Sequence, residues 1–109
     1  MIRNLSKHTL VAENFSFQKG FGKTKGLLFT AKAQPLVFRT RFGIHTFMMK
    51  YAIDLMVLSR SKKVVFLKRG VEPNRVVFWN PKFDLVLELP SGSIQKSKTE
   101  LNDILELKL

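Results

Sequence analysis

Cysteine is absent from the 109-residue chain, and this absence excludes disulfide bonds, thiolate metal sites and cysteine nucleophiles. Long apolar runs are absent as well, since no window approaches the roughly eighteen apolar residues of a membrane-spanning helix. The N-terminal segment MIRNLSKHTLVAENF has no continuous apolar stretch of the length that a signal peptide requires. We therefore expect a soluble, cytoplasmic protein with no membrane span.

Glycine and proline are scarce, with six and four residues, whereas 45% of the residues are hydrophobic and ten are phenylalanine. Disordered chains lack this much apolar material, so the composition is that of a packed globular protein. A chain of 109 residues buries roughly two thirds of the surface that it exposes when unfolded, which suits one core and not two. The sequence therefore predicts a single domain over residues 1–109.

Acidic residues are few: eight Asp and Glu stand against 19 Lys and Arg, which gives a net charge of +11. The imbalance is N-terminal, because residues 1–53 contain nine basic side chains and a single acid, Glu13. Such a surface attracts polyanions such as nucleic acid, although a lysine-rich surface also serves solubility alone. No helix-turn-helix, zinc-finger or RNA-recognition motif decides between these interpretations. The candidate polyanion-binding residues are Lys19, Lys23, Lys25, Arg39 and Arg41.

Short apolar runs ended by turn residues dominate the rest of the chain, and this pattern is typical of β-strands. Residues 53–58 and 64–67 are apolar and flank the polar segment 59–63, which predicts a hairpin. Further strands are predicted at 9–13, 36–38, 76–79, 83–89 and 105–109. Together they indicate a compact antiparallel domain.

Two further segments have distinct sequence patterns. In residues 83–89 the apolar side chains alternate with Asp84, Val86 and Glu88, which predicts a strand with one buried face and one wet or functional face. Residues 17–29 are the one region that favours a helix, even though each of its three glycines lowers helix propensity by about 1 kcal/mol relative to alanine.

Six short blocks stand out in order along the chain: KGLLF at 25–29, GIHT to ID at 43–54, VV at 64–65, EPNR at 72–75, LELPSGSI at 87–94, and Asp103. Their order and spacing resemble the family catalogued as domain of unknown function 192, in its cytosolic branch with an Ile-His-Thr type motif. Ala52 stands where that family usually has proline, and Asn102 where glycine is usual. The resemblance covers nearly the whole chain and implies a mainly β fold, a compact antiparallel sandwich or barrel with one short helix near residues 17–29. It implies no activity, because the family has no established one.

The stretch GIHTFMMKYAID at 43–54 is the main candidate for a site. His45 and Asp54 are too distant for one helix face, but a turn near 50–52 would bring the strand at Asp54 beside His45. The carboxylate would then orient the imidazole and leave its second nitrogen free as a base or a ligand. Alternatively, Asp54 accepts backbone amides in a turn, and His45 and Thr46 satisfy strand edges.

Glu88 and Arg75 extend this candidate site, since Glu88 lies opposite the leucine face of its predicted strand. Equally, the two side chains can form an ordinary cross-strand pair. The tentative binding residues are His45, Thr46, Met49, Asp54, Arg75 and Glu88.

Other chemistry finds little support in the sequence. His45 with Met48 or Met49 offers ligands that suit Cu(I), but one histidine without cysteine is a poor site, and both methionines are expected to fill the core. The serines lack a Gly-x-Ser-x-Gly elbow, and the tripeptide at 22–24 lacks the full spacing of a phosphate-binding loop. We assign no metal, no cofactor and no catalytic residue.

Three classes of function are consistent with these observations. A binding or accessory module would hold a small ligand or a protein partner in a groove around His45, Asp54 and Glu88; it needs only a fold and a pocket, so we place it first. A polyanion-binding protein would use the basic N-terminal half for nucleic acid. An enzyme would need His45 and Asp54 within hydrogen-bond reach in an open cleft, and the sequence favours this class least.

Overall fold

The short apolar runs form ten β-strands in the part of the chain that the computed structural model describes, residues 1–18, 34–41, 43–47 and 49–109. In chain order they are β1 (Ile2–Asn4), β2 (Thr9–Ala12), β3 (Ser16–Phe17), β4 (Leu36–Arg39), β5 (Gly43–His45), β6 (Ile53–Leu58), β7 (Val64–Val71), β8 (Val76–Phe78), β9 (Leu85–Pro90) and β10 (Leu105–Leu107). One helix, α1 (Ser93–Ser97), is described. The mainly β fold predicted from the sequence is confirmed, and the radius of gyration of 12.5 Å is that of a compact domain of this length.

A five-stranded sheet in the order β3-β4-β9-β6-β7 forms the centre of the molecule. Every pair in it is antiparallel except β3–β4, which is parallel. Strands β6 and β9 pair along their whole length, from Ile53 opposite Pro90 to Leu58 opposite Leu85. Strands covered on both faces need to be apolar almost throughout, and in β6 and β9 only Asp54 and Glu88 break this rule.

The side chains of the central sheet alternate between two hydrophobic clusters, one on each face. The first face carries Leu55, Val57 and Val86 and packs against the two-stranded sheet β5–β8. The second face carries Met56, Leu87 and the other inward leucines, and it packs against α1 and the three-stranded sheet β10-β1-β2. Each fully buried aliphatic side chain contributes about 1.5–3 kcal/mol, so this layered core accounts for most of the stability.

The hairpin predicted for residues 53–58 and 64–67 is confirmed as β6–β7. The prediction of one wet face for residues 83–89 is wrong, because Val86 and Glu88 are as buried as the leucines. The reason is that β9 lies inside the central sheet, where the β5–β8 pair packs on one face and α1 with the three-stranded sheet packs on the other. The helix predicted over 17–29 falls on residues outside the described ranges, apart from Phe17 in β3 and the following Gln18.

Helix α1 was not predicted, and a remote side chain holds it in place. Five residues are far too few for a helix that is stable by propensity alone. The residues that flank the helix, Gly92 before it and Lys98 after it, both have positive φ. The Asp54 carboxylate accepts the backbone N–H groups of Gly92 and Ile94 at 3.1 and 2.8 Å. None of the described helices is long and apolar enough to span a membrane.

Candidate functional site

A surface cleft of about 780 Å³ opens at one end of the central sheet. It lies where β4 and β6 end and β9 begins, because Arg39, Leu58 and Leu85 line it. The loop after β6 and the segment before β9 form the remaining walls. The lining residues from these two segments are Ser59, Arg60, Ser61, Lys62, Lys82, Phe83 and Asp84. Volumes of this size are typical of ligand sites.

The cleft is strongly cationic. Five of its lining side chains are basic and one is acidic; the basic ones are Arg39, Arg41, Arg60, Lys62 and Lys82. The Arg39 guanidinium pairs with the Asp84 carboxylate at 3.0 Å. The other four cations have no carboxylate within 4.0 Å among the described residues. The positive charge of the cleft is therefore mostly uncompensated by the protein itself.

Hydrogen bonds that involve backbone atoms fix the walls of this cleft. Arg41 donates a hydrogen bond to the Pro81 carbonyl at 3.2 Å, which links the entry of β5 to the segment before β9. In the loop after β6, the Ser59 carbonyl accepts the Lys62 N–H at 2.9 Å, and the Ser59 hydroxyl accepts the Lys63 N–H at 3.2 Å. The loop is thus a closed turn that holds its cations and two hydroxyls in one place.

The two-stranded sheet β5–β8, which we call the ribbon, begins beside the cleft. Gly43 pairs with Phe78 at the end of the ribbon nearest Arg41 and Pro81. Ile44 and Val77 point into the core, so the alternate residues form an outer face. That face carries His45, Val76 and Phe78, with Phe47 stacked on His45 at 4.8 Å between ring centroids.

The outer face of the ribbon is unusually apolar for an exposed surface. Phe78 is 70% exposed, and Phe47 and Val76 are also exposed. The Phe78 ring lies over Gly43, whose φ is +150°, and a Cβ at Gly43 would collide with both the Val77 carbonyl oxygen and the Phe78 ring. Glycine at this position therefore lets the two strands and the ring lie close together.

Asp54 has a structural role in this arrangement. Its carboxylate accepts three backbone N–H groups, from Gly70 at 2.9 Å on one oxygen and from Gly92 and Ile94 on the other. The donors lie in β7, in the turn before α1 and in the first turn of α1 itself, so Asp54 ties these segments to β6. With the side chain buried and its oxygens occupied, Asp54 has no free position for a ligand.

Glu88 is buried on the opposite face of the same sheet. Its cross-strand neighbours are Leu36 and Leu55, and its Oε1 finds no hydrogen-bond partner in the described part of the chain. Burial among apolar groups penalises the charged form and raises the pKa of Glu88 to about 8. Glu88 is therefore mostly protonated at neutral pH.

The structure does not bring His45, Asp54 and Glu88 into one groove. Asp54 pairs with Leu89 and Glu88 with Leu55, and neighbouring positions of a strand point to opposite faces. His45 lies on the outer face of the ribbon, where its Nδ1 accepts the Phe47 N–H at 3.3 Å. The predicted His45–Asp54 contact is thus replaced by separate backbone contacts for each side chain.

The other candidate site residues, Thr46, Met49 and Arg75, make contacts within the protein. Thr46 is buried, and its hydroxyl donates to the Glu72 carbonyl at 2.7 Å and accepts the Arg75 N–H at 2.9 Å. Met49 lies in the core. Arg75 pairs with Glu72 at 3.5 Å, so the prediction that Arg75 accompanies Glu88 is wrong: Glu88 is enclosed by the sheet, and Arg75 is exposed.

The predicted polyanion-binding residues divide into two groups. Lys19, Lys23 and Lys25 lie outside the described residues, whereas Arg39 and Arg41 both line the cleft. Arg60, Lys62 and Lys82 were not among the predicted residues because they come from the half of the chain in which acidic residues are more frequent. The signal was the segment SRSKK at 59–63, in which serines alternate with cations, but it was interpreted only as a polar hairpin loop.

In the described ranges no group of three His, Asp and Glu side chains is placed to hold a metal ion. Met48, one of the two methionines considered as a thioether ligand, lies outside those ranges.

Comparison with known proteins identifies the fold. No protein-family model and no curated protein sequence matches the chain. A candidate transcription regulator from Sinorhizobium meliloti 1021 has a similar structure, with a TM-score of 0.72 and 12% identity, over 84% of this chain and 79% of that one. A protein of unknown function from Novosphingobium aromaticivorans DSM 12444 matches with a TM-score of 0.74 and 14% identity, over 85% and 74%. The chain is therefore a small, mainly β domain of a fold found in bacterial proteins.

Proposed function

We propose that the protein binds the phosphate backbone of a nucleic acid in the basic cleft. The observation that carries this proposal is the lining of the cleft, with five cationic side chains against one carboxylate. Three of the five are arginines, whose planar guanidinium groups match the geometry of phosphate oxygens. The Ser59 and Ser61 hydroxyls at the same rim are hydrogen-bonded to each other at 3.0 Å, which leaves one O–H of the pair as a further donor of the kind that contacts phosphate.

The shape of the site favours a strand over a membrane surface. The cations surround a cleft, whereas a bilayer presents a nearly flat array of headgroups to protruding side chains. An extended phosphodiester chain enters such a cleft and meets several cations at once. The four cations without a carboxylate partner break no ion pair when they bind phosphate; Arg41 and Lys62 exchange only a hydrogen bond to a backbone carbonyl, of Pro81 and of Arg60 respectively.

The salt dependence of binding gives a direct test. If the four cations without a carboxylate partner each neutralise one phosphate, the logarithm of affinity falls with that of salt concentration with a slope of about −3 for a single strand. This slope corresponds to a loss of roughly 50-fold between about 50 and 200 mM salt. Fluorescence anisotropy of a labelled oligonucleotide at several salt concentrations measures it.

A matched pair of double variants locates the binding site. Arg41→Gln with Arg60→Gln removes two cleft charges and is expected to weaken binding by roughly 10-fold and to bring the slope to about −1.5. The control, Lys96→Gln with Lys98→Gln, removes two charges from α1 and the residue after it. These residues follow the far end of β9, and the strand from Leu85 at the cleft to Pro90 is about 17 Å long. This control should bind like the unmodified protein.

Three results would overturn the proposal. These are no binding at low salt, an equal loss in both double variants, and tighter binding to phosphatidylserine vesicles that the cleft variant abolishes. The last result would assign the cleft to a membrane surface instead.

Family membership stays a separate proposal. We propose that the chain belongs to the family of domain of unknown function 192, and the order of the six sequence blocks is what supports it. An alignment of homologues in which Glu88, Gly92 and Asp103 recur at the same spacing would test it.

A further inference from the structure

We infer that the outer face of the ribbon stacks nucleic-acid bases, so that the strand held by the cleft is single-stranded. This inference rests on the proposed function and goes beyond it, since the cleft by itself would hold the backbone of any nucleic acid. Its basis is the juxtaposition of a cationic cleft with the exposed rings of Phe78, Phe47 and His45.

The ribbon is joined to the walls of the cleft. Arg41 lies two residues before Gly43, and Lys82 lies four residues after Phe78, so both strands of the ribbon join the cleft walls. The hydrogen bond from Arg41 to the Pro81 carbonyl closes this junction. A strand whose phosphates lie in the cleft would reach Phe78 by extending along these connecting segments at the end of the sheet.

The rings are placed for contact with flat ligands. Phe78 lies over Gly43, and the stacked pair of His45 and Phe47 lies two residues further along the same strand, which is a separation of about 7 Å. The Nδ1 of His45 accepts the Phe47 N–H. This hydrogen bond holds the imidazole in the orientation in which it stacks on the Phe47 ring. Two aromatic positions in line with a cationic groove are the features that proteins use to bind single strands without sequence preference.

Single strands are favoured over duplexes for a geometric reason. In a duplex the faces of the bases are already stacked on one another and cannot reach an exposed ring. In a single strand every base presents a free π-face, and each base that stacks on an aromatic side chain strengthens binding. Charge complementarity alone would not make this distinction, because a duplex carries the denser phosphate array.

The test compares two oligomers with the same backbone charge, oligo(dT) and an abasic oligomer of equal length. The protein is expected to bind oligo(dT) about 5- to 150-fold more tightly than the abasic oligomer, from stacking of one base. Phe78→Ala should lower the affinity for oligo(dT) towards that for the abasic oligomer and leave the abasic affinity unchanged. Phe78→Trp, which keeps a stacking face, should restore it.

Leu10→Ala serves as the control for loss of exposed apolar surface, because Leu10 is exposed in β2 and lies outside the ribbon. It should leave both affinities unchanged. Circular dichroism of each variant confirms the fold, which Phe78→Ala is expected to keep since most of the Phe78 side chain is in solvent.

The outcomes separate the two proposals. If neither oligomer binds at low salt, the proposed function fails and the stacking inference fails with it. If both oligomers bind equally and with the same salt dependence, or if a duplex binds as tightly as oligo(dT), the proposed function stands and the stacking inference is wrong. A protein that is dimeric by sedimentation equilibrium and becomes monomeric in Phe78→Ala would assign the ribbon to a second copy of the chain and also overturn the inference.

Discussion

The two ends of the central sheet use their polar groups in opposite ways. At the end beside α1, the Asp54 carboxylate accepts three backbone N–H groups, and the Ser93 hydroxyl donates to the Pro90 carbonyl at 2.6 Å. At the cleft end, four cations have no carboxylate partner among the described residues. Polar groups at the first end stabilise the fold through hydrogen bonds to the backbone, and the cations at the second end are available to bind an anionic ligand.

Glu88 lies between these two ends and belongs to neither. It is as buried as Asp54, but it lies on the other face of the sheet, where its Oε1 has no hydrogen-bond partner among the described residues. The comparison of Asp54 with Glu88 shows that two equally buried carboxyl groups can differ in the number of backbone donors that reach them.

The largest expected loss of stability at neutral pH comes from Asp54→Asn. The substituted amide would turn its own N–H groups towards backbone donors and leave some of them unsatisfied, which costs on the order of 1–3 kcal/mol. Urea unfolding at neutral pH measures this loss. Asp84→Asn is the matched control, since Asp84 is partly exposed and pairs with Arg39 at the surface, and pairs of this kind contribute about 0–1 kcal/mol. A loss for Asp54→Asn no larger than that of the control would contradict the role given to Asp54.

Glu88→Gln is expected to change the pH dependence of stability. The folded pKa of about 8 lies above the ordinary value of 4.5, so between these values the unfolded chain loses a proton that the folded chain keeps. The stability contributed by this group is therefore complete below about pH 4.5 and falls as pH rises towards 8, by up to about 1.4 kcal/mol per pH unit.

Glutamine has no such titration, so the free energy of unfolding of Glu88→Gln should rise relative to that of the unmodified protein as pH increases. Urea unfolding of both proteins at several pH values between 5 and 8 checks this expectation. A constant difference across that range would mean that Glu88 is ionised in the folded state.

The smallest expected effect on stability belongs to the cleft. The double variant Arg41→Gln with Arg60→Gln should change the free energy of unfolding by no more than about 0.5 kcal/mol, because these exposed cations have no carboxylate partner and lie at the surface. The same variant is expected to lose most of its salt-dependent binding. Thermal unfolding beside the binding assay tests whether the two ends differ as described, and a clear loss of stability would show that the cleft cations also maintain the fold.

The strand pattern was largely readable from the sequence because it depends on local chemistry. The apolar runs at 53–58 and 64–67 and the polar loop between them predicted the β6–β7 hairpin, and the strand predicted at 76–79 agrees with β8 to within one residue. The alternation with a period of two in residues 83–89 identified a strand. It did not show that other elements pack on both faces of this strand, because that depends on the tertiary structure around it.

The sequence by itself determined a mainly β fold, an excess of basic over acidic residues and the absence of cysteine chemistry. Only the tertiary structure decided which polar residues share a site, since that depends on strand order and on the face to which each side chain points. It separated Asp54 from Glu88, although they lie on adjacent strands, and it joined Arg39 and Arg41 to Arg60, Lys62 and Lys82 from a distant part of the chain. Helix α1 belongs to the same class, because its five residues depend on a carboxylate that lies in β6, about forty positions earlier in the chain.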